Sequence, residues 1–114
     1  MEKDFDLASK EALNLLKKKN ARVVDVREPD EFIYGHLNES ESIPLSELNP
    51  ENAEKRFQKN EKILFVCRSG NRSRNLAVFL REKGFENVFN LGGGLIALNS
   101  LLEKKVKVLG SEYE

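Results

Sequence analysis

This chain of 114 residues has one cysteine, Cys67, in the run Val66-Cys67-Arg68-Ser69-Gly70-Asn71-Arg72-Ser73. An apolar, strand-like run, Ile63 to Val66, leads into it, and a helix-like pattern from Ser73 to Lys83 follows. A thiol is thereby set where a strand ends and a helix begins, and there backbone N–H groups and the positive helix end hold anions. Gly70 permits a positive φ and Asn71 tolerates one, so successive N–H groups can turn inward as an anion nest. Arg68 and Arg72 add two cations close in sequence. Cysteine reacts as its thiolate. The nest and the cations favour that form and, further, a charged group carried on the sulfur. A lone cysteine at the end of a buried strand is ordinarily a small inert hydrophobe. The flanking Arg-x-Gly-x-Arg-Ser argues instead for nucleophilic chemistry at Cys67.

Loop length narrows the cargo. Four residues separate Cys67 from Arg72. Thiol phosphatases share a Cys-x5-Arg loop, one residue longer, that cradles a phosphoryl group. A shorter loop makes a smaller cup suited to one extra sulfur atom, so a persulfide, Cys–S–S⁻, is expected rather than a phosphocysteine.

The elements that must position this loop read as alternating helices and strands. Ser9 is expected to cap a helix running to about Lys19, with Asn20 as its C-cap and Ala12, Leu13, Leu15 and Leu16 as its apolar face. Residues 22–26 form a β-branched strand. Pro29 and Asp30 turn into a brief helix, Glu31 to Tyr34, stopped by Gly35. Residues 36–42 are polar and read as loop, and Ile43-Pro44-Leu45 as a short extended piece. Asn49-Pro50 signals a helix start, with Asn as N-cap and Pro at the first helical position. That helix should end near Gln58. Residues 62–66 are a strand, and the helix after the thiol loop ends with Gly84 in the C′ position. Residues 88–91 are a strand, and Gly92-Gly93-Gly94 turns into a last helix ending near Lys104. Residues 106–108 suit a final edge strand. This alternation predicts a parallel sheet with helices on both faces. Ligands of such sheets bind beyond the C-terminal strand ends, near a topological switch point, which is where Cys67 falls.

Bulk composition agrees with one compact domain over residues 1–114. Nineteen basic and nineteen acidic residues give a net charge of zero, which argues against a nucleic-acid or membrane partner. One Cys and one His exclude a disulfide within the chain and a cysteine-rich metal site. No apolar run reaches the roughly 20 residues of a membrane helix. The N-terminus has no signal-peptide pattern, and a free thiol without one suits a cytoplasmic location.

With the residues in this order, the chain resembles the single-domain rhodanese-like sulfurtransferases. The resemblance runs through Asp25-Val26-Arg27-Glu28-Pro29-Asp30-Glu31-Phe32, Gly35-His36-Leu37, Ile43-Pro44-Leu45, the loop Cys67 to Ser73, Gly84-Phe85 and Asn90-Leu91-Gly92-Gly93-Gly94. It implies an α/β fold with a central five-stranded parallel sheet flanked by helices on both faces. It also implies transfer of a sulfane sulfur from a small anionic donor such as thiosulfate, through a Cys67 persulfide, to an acceptor such as cyanide, a thiol or a protein. Cys67 is then the nucleophile, and Arg68, Ser69, Gly70, Asn71, Arg72 and Ser73 bind the substrate. Asp25 and Arg27, two residues apart on one strand face, support the loop as an ion pair or hydrogen-bond network. No metal or cofactor is implied. His36 is expected to position its loop and not to act as a base. The triple glycine lacks the following Lys-Ser/Thr of a phosphate loop and suits close packing of the last helix.

Two departures from the family pattern stand out. Glu39-Ser40-Glu41-Ser42 replaces a stretch that usually carries Gly-Ala and Asn, and Leu98 stands where a tryptophan is usual. Rival readings remain: a regulatory, protein-binding or sulfur-carrier module, against which the intact loop argues, and a phosphatase or arsenate reductase, against which the short loop argues.

Overall fold

The structure is a computed structural model that describes residues 5–102. Its elements in chain order are β1 (Asp6–Leu7), α1 (Ser9–Lys18), β2 (Arg22–Asp25), α2 (Pro29–Tyr34), β3 (Ser40–Ser42), a 3₁₀ turn (Leu45–Glu47), α3 (Pro50–Arg56), β4 (Ile63–Val66), α4 (Asn71–Glu82), β5 (Val88–Leu91) and α5 (Gly94–Leu101). The five strands form one sheet in the order β1-β5-β4-β2-β3, and every neighbouring pair is parallel.

Period-two alternation along β4 divides the core. Ile63 and Phe65 pack with Ala53 of α3 and with Leu76, Ala77 and Leu80 of α4. Leu64 and Val66 face the other way, onto Ala12 of α1 and onto Leu95 and Leu98 of α5. All four β4 residues are buried, as befits a central parallel strand covered on both faces. Cys67 continues the odd-numbered series and joins the α3–α4 side. Leu98, fully buried, fills the second core without the larger ring.

The strand order reverses between β2 and β4. The chain leaves β2 outward to β3 on one side and leaves β4 outward to β5 on the other. The crevice beyond the C-terminal ends of β2 and β4 is therefore the switch point. Val26 donates its N–H to the Val66 carbonyl at 3.0 Å, which ties the two strand ends together there.

Several sequence expectations are corrected. The α1 N-cap is Ala8, whose N–H is received by the Glu11 carboxylate at 3.1 Å. Its C-cap is Lys19, in the left-handed region at φ 55°, and not Asn20. The polar stretch 36–42 contains a strand, β3, in register with β2 through Val23–Ser40, Val24–Glu41 and Asp25–Ser42. Ile43 and Leu45 still follow β2 by donating N–H groups to Asp25 and Val26, but they add no strand. Edge strand β1 was not foreseen; it pairs Asp6 with Asn90 and Leu7 with Leu91. The strand expected at 106–108 lies outside the described residues. Asn49 caps α3 as its sequence implies, accepting the Asn52 N–H at 3.0 Å. The charged character of β3 has a use at the edge: Arg22 holds Glu41 at 2.7 Å and Glu61 at 3.0 Å. A short, charged outer strand is a poor template for pairing with another chain.

Candidate active site

Cys67 directly follows β4, and its side chain is fully buried. The chain then turns through Gly70, at φ 93°, into the twelve-residue helix α4. The helix therefore begins at Asn71 and not at Ser73. The turn brings the N–H groups of Gly70 (3.2 Å) and Ser73 (3.4 Å) onto Cys67 Sγ. Ser73 Oγ stands 3.3 Å from the same sulfur. Sulfur thus faces otherwise unpaired donors of a helix N-terminus, where the macrodipole favours negative charge.

The glycine turn before α5 fixes the loop from behind. Leu95 and Ile96 donate N–H groups to the carbonyls of Cys67 (2.9 Å) and Arg68 (3.1 Å). This approach demands glycine at position 94, where an added Cβ would meet the Arg68 carbonyl oxygen at 2.3 Å and the Gly70 nitrogen at 2.6 Å.

Arg72 is drawn to Glu31 of α2, with its two terminal nitrogens 3.1 and 3.2 Å from the two carboxylate oxygens. Burial pushes the Glu31 pKa up, but the hydrogen bonds from Arg72 and from the Glu28 N–H outweigh it, and the carboxyl titrates below its usual value. The same hydrogen bonding raises the pKa of Arg72. Arg68 is half-buried, and Ser69 and Asn71 are exposed at the rim of the loop.

Behind the crevice, Asp25 and Arg27 are both fully buried. They form an ion pair, with Nη2 at 2.8 Å and Nε at 2.9 Å from the carboxylate. The Arg27 N–H also donates to Asp25 at 3.0 Å, and Nη2 reaches the Gly35 carbonyl at 2.7 Å. This fixes the ends of β2 and α2, and hence the base from which Glu31 meets Arg72. His36 is exposed, stacks on Phe32 at 3.8 Å, and lies 2.7 Å from the Phe32 carbonyl through Nδ1.

Three participants escaped the sequence reading: Glu31, Asn90 and Asp6. Ser73 hydrogen-bonds Asn90 Oδ1. Asn90 Nδ2 donates to Asp6 Oδ1 at 2.7 Å and to the Gly70 carbonyl at 3.1 Å. The available signal for Asn90 was a polar residue in the otherwise apolar strand Val88-Phe89-Asn90-Leu91.

The site combines a buried thiol, inward N–H groups and a fixed loop at the switch point of a parallel sheet. Comparison with known proteins identifies the family of the fold. The family described as the rhodanese-like domain matches residues 8–100. The thiosulfate sulfurtransferase GlpE of Pseudoalteromonas translucida is 32% identical over 97 residues, covering 85% of this chain and 90% of that one. An uncharacterized protein of Synechocystis is 41% identical over 86 residues, covering 75% of this chain but 47% of its own length. Among solved structures, a rhodanese-related protein from Thermoplasma volcanium superposes with a TM-score of 0.71 at 31% identity, covering 91% of this chain and 96% of that one. The chain belongs to the rhodanese-like domain family.

Proposed function

We propose that the protein is a sulfurtransferase that moves a sulfane sulfur from a small anionic donor such as thiosulfate to a nucleophilic acceptor through a persulfide on Cys67. The observation that carries this reading is the pair of N–H groups, from Gly70 and Ser73, aimed at Cys67 Sγ. The Cys67 thiolate attacks the outer sulfur of thiosulfate. A new S–S bond forms, the old one breaks, and sulfite leaves with its electron pair. The outer sulfur of the persulfide then carries the charge. Cyanide or a thiolate attacks that sulfur, forming thiocyanate or a new persulfide, and the Cys67 thiolate returns. No external oxidant or reductant enters, and splitting the transfer into two displacements lowers each barrier. The loop stabilises charge on sulfur with preorganised dipoles throughout. The loop N–H groups around Ser69 to Ser73 receive the anion, and the half-buried Arg68 adds positive charge to the loop. The GlpE relative, which bears the name thiosulfate sulfurtransferase, supports this choice of donor.

The test is direct. The protein is incubated with thiosulfate and its intact mass is measured; cyanide is then added and thiocyanate assayed. A gain of one sulfur atom that Cys67→Ser abolishes is expected. No gain and no thiocyanate at any thiosulfate concentration would sink the reading, and hydrolysis of an aryl phosphate would replace it with a phosphatase.

A further inference from the structure

We infer that Asn90 fixes which way the Ser73 hydroxyl points, and thereby controls how readily Cys67 gives up its proton; Asn90 and Ser73 are positioning residues for the nucleophile. The inference rests on the proposed function only in taking Cys67 as the reacting group, not in the identity of the donor.

A serine hydroxyl carries one hydrogen. Two acceptors face Ser73 Oγ: the Asn90 Oδ1 atom and the Cys67 sulfur at 3.3 Å. The Asn90 amide cannot turn around. Its NH₂ group is engaged by the Asp6 carboxylate at 2.7 Å and by the Gly70 carbonyl at 3.1 Å, and both are acceptors only. Asp6 lies opposite Asn90 in the sheet register, so the backbone pairing itself supplies this anchor. Oδ1 therefore faces Ser73 and takes its hydrogen. Ser73 Oγ is left with lone pairs toward sulfur, a suitable acceptor for the S–H of a neutral thiol.

Loss of the thiol proton changes what sulfur requires. A thiolate calls for donors. The Ser73 hydroxyl can swing to it only by abandoning Asn90 Oδ1, and Asn90 is 1% exposed. Otherwise the hydroxyl stays, and its lone pairs oppose the negative sulfur. Either choice costs free energy, because a buried polar group goes unpaired or faces like charge. The bare thiolate is thus left to the N–H groups of Gly70 and Ser73. A persulfide escapes the conflict, since its charge sits on the outer sulfur, away from Ser73 Oγ. Asn90 thereby tilts the site toward its sulfur-loaded form.

The charged residues on the elements around the loop are Arg68 in the loop itself, Arg72 on α4, Asp25 at the end of β2, Arg27 just beyond that strand, Glu31 on α2 and Asp6 on β1, while α5 (Gly94–Leu101) contributes none. Asn90→Val also releases the Asp6 carboxylate and the Gly70 carbonyl, so the hydroxyl is isolated by comparing that substitution with Ser73 present and with Ser73→Ala.

The experiment follows iodoacetamide alkylation of Cys67 against pH in the parent, Asn90→Val, Ser73→Ala and the double variant. Asn90→Val is expected to move the midpoint down by about one pH unit, the scale of one hydrogen bond to a charged sulfur. The same substitution in the Ser73→Ala background should move it by far less. An unmoved or raised midpoint in Asn90→Val, or an equal drop without the hydroxyl, would overturn the inference. Should Asn90→Val not fold, Asp6→Ala removes, from the half-buried edge, the shorter of the two hydrogen bonds that hold the amide against rotation. Its midpoint must then fall further with Ser73 than with Ala at position 73, and an equal fall in both would overturn the inference. Alkylation needs no sulfur donor, so failure to take up sulfur from thiosulfate tests the proposed function separately.

Discussion

The backbone N–H of Leu95 donates to the carbonyl of Cys67 at 2.9 Å. The last helix of the fold thus holds the thiol loop by its main chain, and Gly94 is the residue that lets the two backbones meet.

Replacing Gly94 with alanine therefore attacks the loop and the fold together. The position combines φ 66° with backbone atoms 2.3 to 2.6 Å from an added Cβ. Left-handed strain and forced backbone movement together should cost about 3 kcal/mol in urea unfolding. Gly84→Ala is the control. Its φ is also positive, at 97°, but the nearest atom to an added Cβ is a flexible lysine terminus at 3.5 Å. Its cost should stay near the strain alone, about 1 kcal/mol, with Cys67 alkylation unchanged. Equal losses at the two glycines would show that close approach at Gly94 matters little.

Asp25→Ala is expected to be among the most damaging single changes, at about 3–5 kcal/mol, because it strands the Arg27 guanidinium in the core. Both side chains are fully buried, and Nη1 of Arg27 already lacks a partner. Replacing the pair together, Asp25→Leu with Arg27→Met, should recover at least part of the loss, since apolar pairs of similar volume substitute well for buried ion pairs. Chemical denaturation of the three variants decides it: a double variant as unstable as Asp25→Ala would mean that the pair stabilises beyond mutual neutralisation.

What the sequence made legible and what it hid follow from distinct physical causes. β4 was readable because a buried parallel strand is a continuous apolar run, and β5 because only Asn90 interrupts its apolar residues. β3 hides in Ser40-Glu41-Ser42 because its pairing is dictated by β2 and its side chains belong to an edge. β1 spans two residues, too few for any periodicity. The helical pattern is legible only from Ser73, because Gly70 and Asn71 are turn formers. In the structure Gly70 takes the N-cap place by its positive φ, and the Ser73 hydroxyl is drawn to Asn90 across the sheet. The thiol loop itself was legible because glycine, arginine and cysteine at fixed spacing are local chemistry. Glu31, Asn90 and Asp6 were not, since each meets the loop from another element.

Glu31 contributes stability with a definite pH dependence. Its folded-state pKa lies below the usual value of 4.5, so the contribution is present above that value and fades as pH falls through the lower folded one. Arg72 is 39% exposed, which screens the pair and limits it to about 0.5 kcal/mol. Urea midpoints of the parent and Glu31→Gln should differ slightly at pH 7 and converge on acidification. A gap that widens toward low pH would contradict the sign.

The same substitution should act on function in the opposite direction. Glu31 neutralises Arg72 at the helix end that faces the thiol, so a dianionic donor approaching Cys67 meets a cation already paired. Removing that one negative charge leaves Arg72 without its carboxylate and able to attract the donor. Coulomb attraction over several ångströms of partly solvated surface then predicts a KM for thiosulfate lower by roughly two- to fivefold at low ionic strength, and little difference at high salt, where the Debye length is about 3 to 5 Å. Steady-state thiocyanate formation measured for the parent and Glu31→Gln across a salt series provides the comparison. A KM that rises in Glu31→Gln would mean that Glu31 serves the donor by holding the Arg72 fork in place, and that orientation at this site outweighs net charge.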